Sequence, residues 1–96
     1  MTGTPSGRIR QTILERLKDP AAHFPAGRAQ GDPAETGVTA RAVAAGLGVP
    51  RRTAAAHLGL LARLGLLRTR RIRCRTHYRR DETRIAEVAR MFEKGW

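Results

Sequence analysis

Eleven arginines and not one acidic side chain fall within residues 39–80. The flanks are balanced, with five basic and four acidic groups in residues 1–38 and three basic and four acidic groups in residues 81–96. The whole formal charge of +11 therefore resides in one block of 42 residues. A merely solvated surface intersperses signs. A block that excludes acids while keeping regular apolar spacing reads as a face for a polyanion, nucleic acid first and an anionic membrane second. The cations are 17 Arg against 2 Lys. An Arg guanidinium presents a planar fork to phosphate oxygens and to the O6/N7 edge of guanine, which an ammonium does not copy. A GC-rich codon bias also favours Arg, since Arg, Ala and Gly make up 42 of the 96 residues.

Other chemistry is sparse. No phosphate-cradling loop, no nucleophile–base set and no carboxylate pair stands out, so the chain does not read as an enzyme. The single cysteine, Cys74, cannot form an internal disulfide. It sits among Arg71, Arg73 and Arg75, where a redox thiol is conceivable and an incidental cysteine is the commoner case. Cys74 and His77 are an odd number of residues apart in or beside a strand, which turns them to opposite faces. Asp19 and His23 lack metal-ligand spacing. No metal and no cofactor is expected.

These residues need a scaffold. A chain of 96 residues supports one small core, and 41% apolar content is enough for folding. The reading is a single domain over 1–96, with a flexible tail at 1–6. The most apolar stretch, 58–67, is interrupted by Arg63 and too short to span a bilayer. Residues 1–7 do not resemble a signal peptide. A cytoplasmic, nucleoid-associated protein without membrane contact is the expectation.

The spacing predicts a first helix from an N-cap at Ser6 to about Asp19, with Ile9, Ile13, Leu14 and Leu17 on one stripe and Pro20 ending it. Residues 25–37, with two Pro and three Gly, read as a long loop. Thr39 caps a second helix over 39–47, and Gly48 closes it. Pro50 opens a third helix at its first position, running to about Leu64. Its buried stripe is Ala54, Leu58, Leu61 and Leu64 or nearby Leu60. Two helices joined by a tight glycine-containing turn form a helix-turn-helix pattern. Residues 66–72 and 75–80 then read as a β-hairpin, although the turn at Arg73-Cys74 lacks the usual Gly or Asn. Asp81 caps a last helix, in which Ile85, Val88, Ala89 and Phe92 share a face and Met91 and Trp96 extend it. The fold class is thus mainly α with a small β-hairpin: a winged helix-turn-helix whose wing is 66–80.

Residues 44–67 resemble the helix-turn-helix of the ArsR/SmtB bacterial repressors. They share the Leu47-Gly48 turn, Thr53 early in the second helix, and His57-Leu58 followed by Leu60-Leu61 and Gly65-Leu66. The segment from Thr76 through His77, Tyr78, Arg79, Arg80, Asp81 and Glu82 into an amphipathic helix is similar too, as are residues 17–25 with the later Gly31-Asp32. The resemblance covers most of the chain from Arg8 on. It implies a homodimer whose first and last helices pair across a two-fold axis, operator binding through successive major grooves, and repression relieved by a metal or other signal. The family's cysteine motif would fall near residues 39–45, which hold no Cys, His or acid, and residues 80–96 contain no His for its terminal-helix site. The resemblance therefore does not carry metal sensing over to this chain.

Roles follow from these placements. Arg51, Arg52 and Thr53 open the recognition helix, where side chains reach base edges; contact with phosphate alone is the plainer alternative. Ala55 and Ala56 stand where the family often has Ser and Arg, which removes polar readers. His57 reads as a packed or phosphate-touching residue rather than a switch. Arg41 is a phosphate contact, and Arg70, Arg71, Arg73 and Arg75 lie on the wing over the backbone or minor groove. Ile9, Ile13, Leu17, Ile85, Val88 and Phe92 form the dimer interface, since so small a chain cannot bury both stripes alone. The partners expected are double-stranded DNA, a second copy and an unidentified protein or small-molecule effector. Two rivals share these residues: a low-specificity architectural or RNA-binding protein, and a regulator that senses through a partner protein.

Overall fold

The computed structural model describes residues 5–24 and 33–93. The chain runs α1 (Pro5–Arg16), α2 (Pro20–His23), α3 (Pro33–Thr36), β1 (Val38–Thr39), α4 (Ala40–Leu47), α5 (Arg51–Arg63), β2 (Leu67–Ile72), β3 (Arg75–Arg80) and α6 (Glu82–Glu93). Most of the tail at 1–6, most of the loop at 25–37, and Trp96 lie outside the described residues.

Helix α1 begins at Pro5, so Ser6 is not its cap, and it ends at Arg16 rather than near Asp19. The Lys18 and Asp19 amides reach back only three residues, to Glu15 and Arg16 at 3.2 Å each. Pro20 disfavours the α region for the residue before it. Asp19 accordingly sits at φ −138°, ψ 75°, and Pro20 starts the short α2 instead of ending the chain's helix there.

The helix-turn-helix is built from local signals. The Thr39 side chain accepts from the Ala42 amide at 3.2 Å, an N-cap as expected. Gly48 adopts φ 67°, ψ 35°, the left-handed conformation that a side chain disfavours, and its N–H returns to Ala44. Pro50 is the N-cap of α5 rather than its first helical residue, with ψ at 147° and its carbonyl accepting from the Ala54 amide at 3.1 Å. At the far end the Gly65 amide bonds to Ala62 and the Leu66 amide to Leu61, both at 3.0 Å. This paired closure ends α5 at Arg63 with Leu64 as its cap, about where expected, and Leu64 is 53% exposed and not part of the buried stripe.

The hairpin has a third strand that the loop reading did not include. The sheet order is β1-β3-β2, all antiparallel. Val38 pairs with Tyr78 and Thr39 with His77. On the other edge β2 pairs with β3 from Leu67↔Arg80 to Ile72↔Arg75. Gly37 makes the close approach possible: it sits at φ +88°, and a Cβ there would lie 2.6 Å from the Tyr78 carbonyl oxygen. Residues 33–36 form a helical turn rather than loop.

The core gathers Ile13 and Leu17 of α1, Phe24, Val38, Val43 and Ala44 of α4, Ala54, Leu58 and Leu61 of α5, and Leu67. Two of the expected dimer contacts are thereby corrected. Ile13 is fully buried and Leu17 is 6% exposed within the protomer, so both fill its own core and offer nothing to a partner. Ile9 and Leu14 of the same stripe are only partly buried against that core. Ile85 and Val88 on α6 are half-buried and Met91 is 44% exposed, outside the core cluster.

Candidate nucleic-acid interface

Arg51, Arg52, Ala55 and Ala56 form the exposed face of α5, while Ala54 and Leu58 point into the core. The helical period puts positions 51 and 55, and 52 and 56, on shared rows. Two arginines thus stand at the start of the helix, followed by two methyl groups. Thr53 and His57 are half-buried at the edge of that face. The Arg10 Nη1 of α1 lies 3.4 Å from Nδ1 of His57, a long contact in which only the guanidinium can donate. His57 is therefore tied to α1 as much as it faces outward. Arg41 is exposed in the first turn of α4.

On the wing Arg70, Arg71, Arg73 and Arg75 are all exposed. Burial does not divide the four, because the hairpin's outer half is open on both sides; strand alternation still sends Arg70 and Arg71 to opposite faces. The tip is a two-residue turn in which Arg73 has φ 49° and Cys74 φ 67°. Positive φ at both central positions is the sign of the primed hairpin turn, whose twist matches the strands. The Arg71 Nη2 donates to the Cys74 carbonyl at 3.3 Å and braces the turn. Cys74 is exposed.

One end of the arginine block does different work. Arg80 has a side chain only 11% exposed. Its Nε and Nη2 donate to the two carboxylate oxygens of Glu82, at 2.7 and 3.1 Å, and its Nη1 donates to the Leu14 carbonyl at 2.6 Å. Arg80 thus ties β3 to α1 and α6 and is not part of an open face. Hydrogen bonding from Arg80 holds the Glu82 carboxyl below its ordinary value, with smaller help from the charges of Arg80 and Lys18. Asp81 caps α6 as expected, accepting from the Arg84 amide at 3.0 Å, and also lies 3.4 Å from Arg68. His77 was singled out only in relation to Cys74. It is 3% exposed, and neither ring nitrogen has a hydrogen-bond partner. Nothing in the Thr76-His77-Tyr78 pattern signals that burial. Among the described residues no three of His, Cys, Asp and Glu gather as a metal site, and no helix is long and apolar enough to cross a membrane.

No family model matches the chain. It is 36% identical over 84 residues to the uncharacterised HTH-type transcriptional regulator YbzH of Bacillus subtilis (strain 168), covering 88% of this chain and 83% of that protein. The shared stretch is long enough that it must include most of the helix-turn-helix and wing whose geometry is described above, and on that likeness the chain belongs to the HTH-type transcriptional regulators.

Proposed function

We propose that the protein is a homodimeric, sequence-specific DNA-binding regulator, a repressor of the ArsR/SmtB kind. The start of α5 enters the major groove and the arginine wing clamps the backbone. The observation that carries this reading is the joint exposure of Arg51 and Arg52 at the N-terminus of α5 and of Arg70, Arg71, Arg73 and Arg75 on the wing, in a block free of acids. Arg forks at a helix start can reach guanine edges, while the wing cations act on phosphate. Ile9 of α1 with Ile85 and Val88 of α6 supply the pairing surface, while the side chain of Phe92, the other α6 residue expected there, lies outside the described residues. A two-fold axis through these helices would set the recognition helices about 34 Å apart, one turn of duplex.

The test is fluorescence anisotropy on the DNA upstream of the protein's own gene, against a scrambled duplex of equal length, from low to physiological salt. A preference for the native fragment by about a thousandfold that persists at physiological salt is the expected result. Equal binding of both duplexes, falling steeply with salt, would instead support a second reading. The exposed Ala55 and Ala56 favour it, because methyl groups where polar readers could stand leave a low-specificity phosphate clamp.

A further inference from the structure

A cleft of about 170 Å³ opens where the end of α1, β3 and the start of α6 meet. Its lining is mixed, with buried Leu17 and Pro20 and half-buried Tyr78 supplying the apolar part. Lys18 and Arg80 bring cations to it against the single carboxylate of Glu82, while Arg79, next to Tyr78 on the same strand, turns its side chain to the other face. This combination has a definite chemistry. A closed apolar cavity of about 150 Å³ accommodates one benzene ring, so this open cleft has room for a group of that size, and two cations against one acid leave a demand for negative charge.

The Arg80 guanidinium shows where that charge would go. Its Nη1 is committed to the Leu14 carbonyl, whereas Nε and Nη2 hold Glu82, whose side chain is 68% exposed. The exposure of Glu82 leaves that fork open to competition from an anion in solution. A competing carboxylate that also buries an apolar ring on Leu17 and Tyr78 gains contacts that Glu82 lacks.

We propose that this cleft binds a small monocarboxylate with a flat apolar body, of the benzoate class, whose carboxylate replaces that of Glu82 on the Arg80 fork. Occupancy removes the side-chain tie between β3 and the first turn of α6. That helix is then held to the sheet through Asp81, by its N–H to the Leu66 carbonyl at 2.9 Å and its carboxylate near Arg68. The inference is independent of the DNA-binding reading, because its test contains no nucleic acid.

The experiment is a two-dimensional amide NMR titration of the full chain at about 0.15 M salt, where surface charges are largely screened. The probes are benzoate, benzyl alcohol, acetate and inorganic phosphate. Benzoate is expected to shift the amides of Leu17, Lys18 and residues 78–82 saturably, with a Kd on the order of 1 mM, the scale for a nine-atom ligand. Benzyl alcohol lacks the charge, and acetate and phosphate lack the ring, so each should bind at least about tenfold more weakly. Glu82→Gln, and Glu82→Ala as a second variant, should bind benzoate about two- to fivefold tighter because the internal competitor is weakened or gone. The proposal is overturned if benzyl alcohol matches benzoate, if acetate or phosphate matches it, or if both Glu82 variants bind as the parent does. A match by phosphate would mark the rim as part of a nucleic-acid surface instead.

Discussion

Arg80 grips Glu82 with two nitrogens, Nε to Oε2 at 2.7 Å and Nη2 to Oε1 at 3.1 Å, while its third reaches across 66 residues of sequence to the Leu14 carbonyl at 2.6 Å. A cation from the block that elsewhere lies open to a polyanion is here turned into a structural clasp. The Glu82 carboxyl is depressed below its ordinary value of 4.5, first of all by the Arg80 hydrogen bond. A depressed carboxyl stabilises the fold above its unfolded value and loses that contribution as pH falls through the folded value. Urea unfolding of the parent and Glu82→Gln should therefore differ at neutral pH and converge as the pH falls below the ordinary carboxylate range. The difference will be small, since Glu82 is largely exposed. A gap that stays constant down to pH 3 would contradict the linkage.

His77 should be a stability liability. Its ring is buried with both nitrogens unpartnered, and leaving a polar group so costs about 1–3 kcal/mol. His77→Leu is expected to raise the urea midpoint with an unchanged slope. A fall in stability would mean that the imidazole makes a contact that outweighs its desolvation.

The wing tip trades stability for charge. Arg73 and Cys74 both sit at positive φ without being glycine or asparagine, at a cost of about 1 kcal/mol or more each. Cys74→Gly alone should raise thermal stability and leave duplex affinity intact. Arg73→Asn combined with Cys74→Gly should be the more stable of the two and bind duplex more weakly through the lost cation. Unchanged melting in both variants would show that the turn is not strained.

The two arginine groups should separate by salt and sequence. Arg51→Ala or Arg52→Ala is expected to lose about 1–3 kcal/mol on the preferred duplex and to narrow its margin over the scrambled one. Arg71→Ala or Arg75→Ala should weaken both duplexes alike and lower the salt slope by about one. If the α5 variants behave like the wing variants, those arginines contact phosphate alone.

Much of this protein follows from local rules that a sequence carries in full. The Thr39 cap, the Gly48 turn, the buried row Ala54, Leu58 and Leu61, the Asp81 cap and the confined positive charge depend on neighbours within a few residues, so spacing alone revealed them. Relations across the chain were not legible. No period in Gly37-Val38-Thr39 announces a strand of two residues, because β1 exists only where β3 offers it partners. His77, opposite Thr39 in that register, is buried as well. Nor does the stripe of α1 say whether it faces a partner or its own chain; packing on α5 put Ile13 and Leu17 inside. The arginine run was legible as a block, but only tertiary contact with Leu14 and Glu82 separated Arg80 from it, since a guanidinium turns inward wherever a carbonyl and a carboxylate converge to satisfy it.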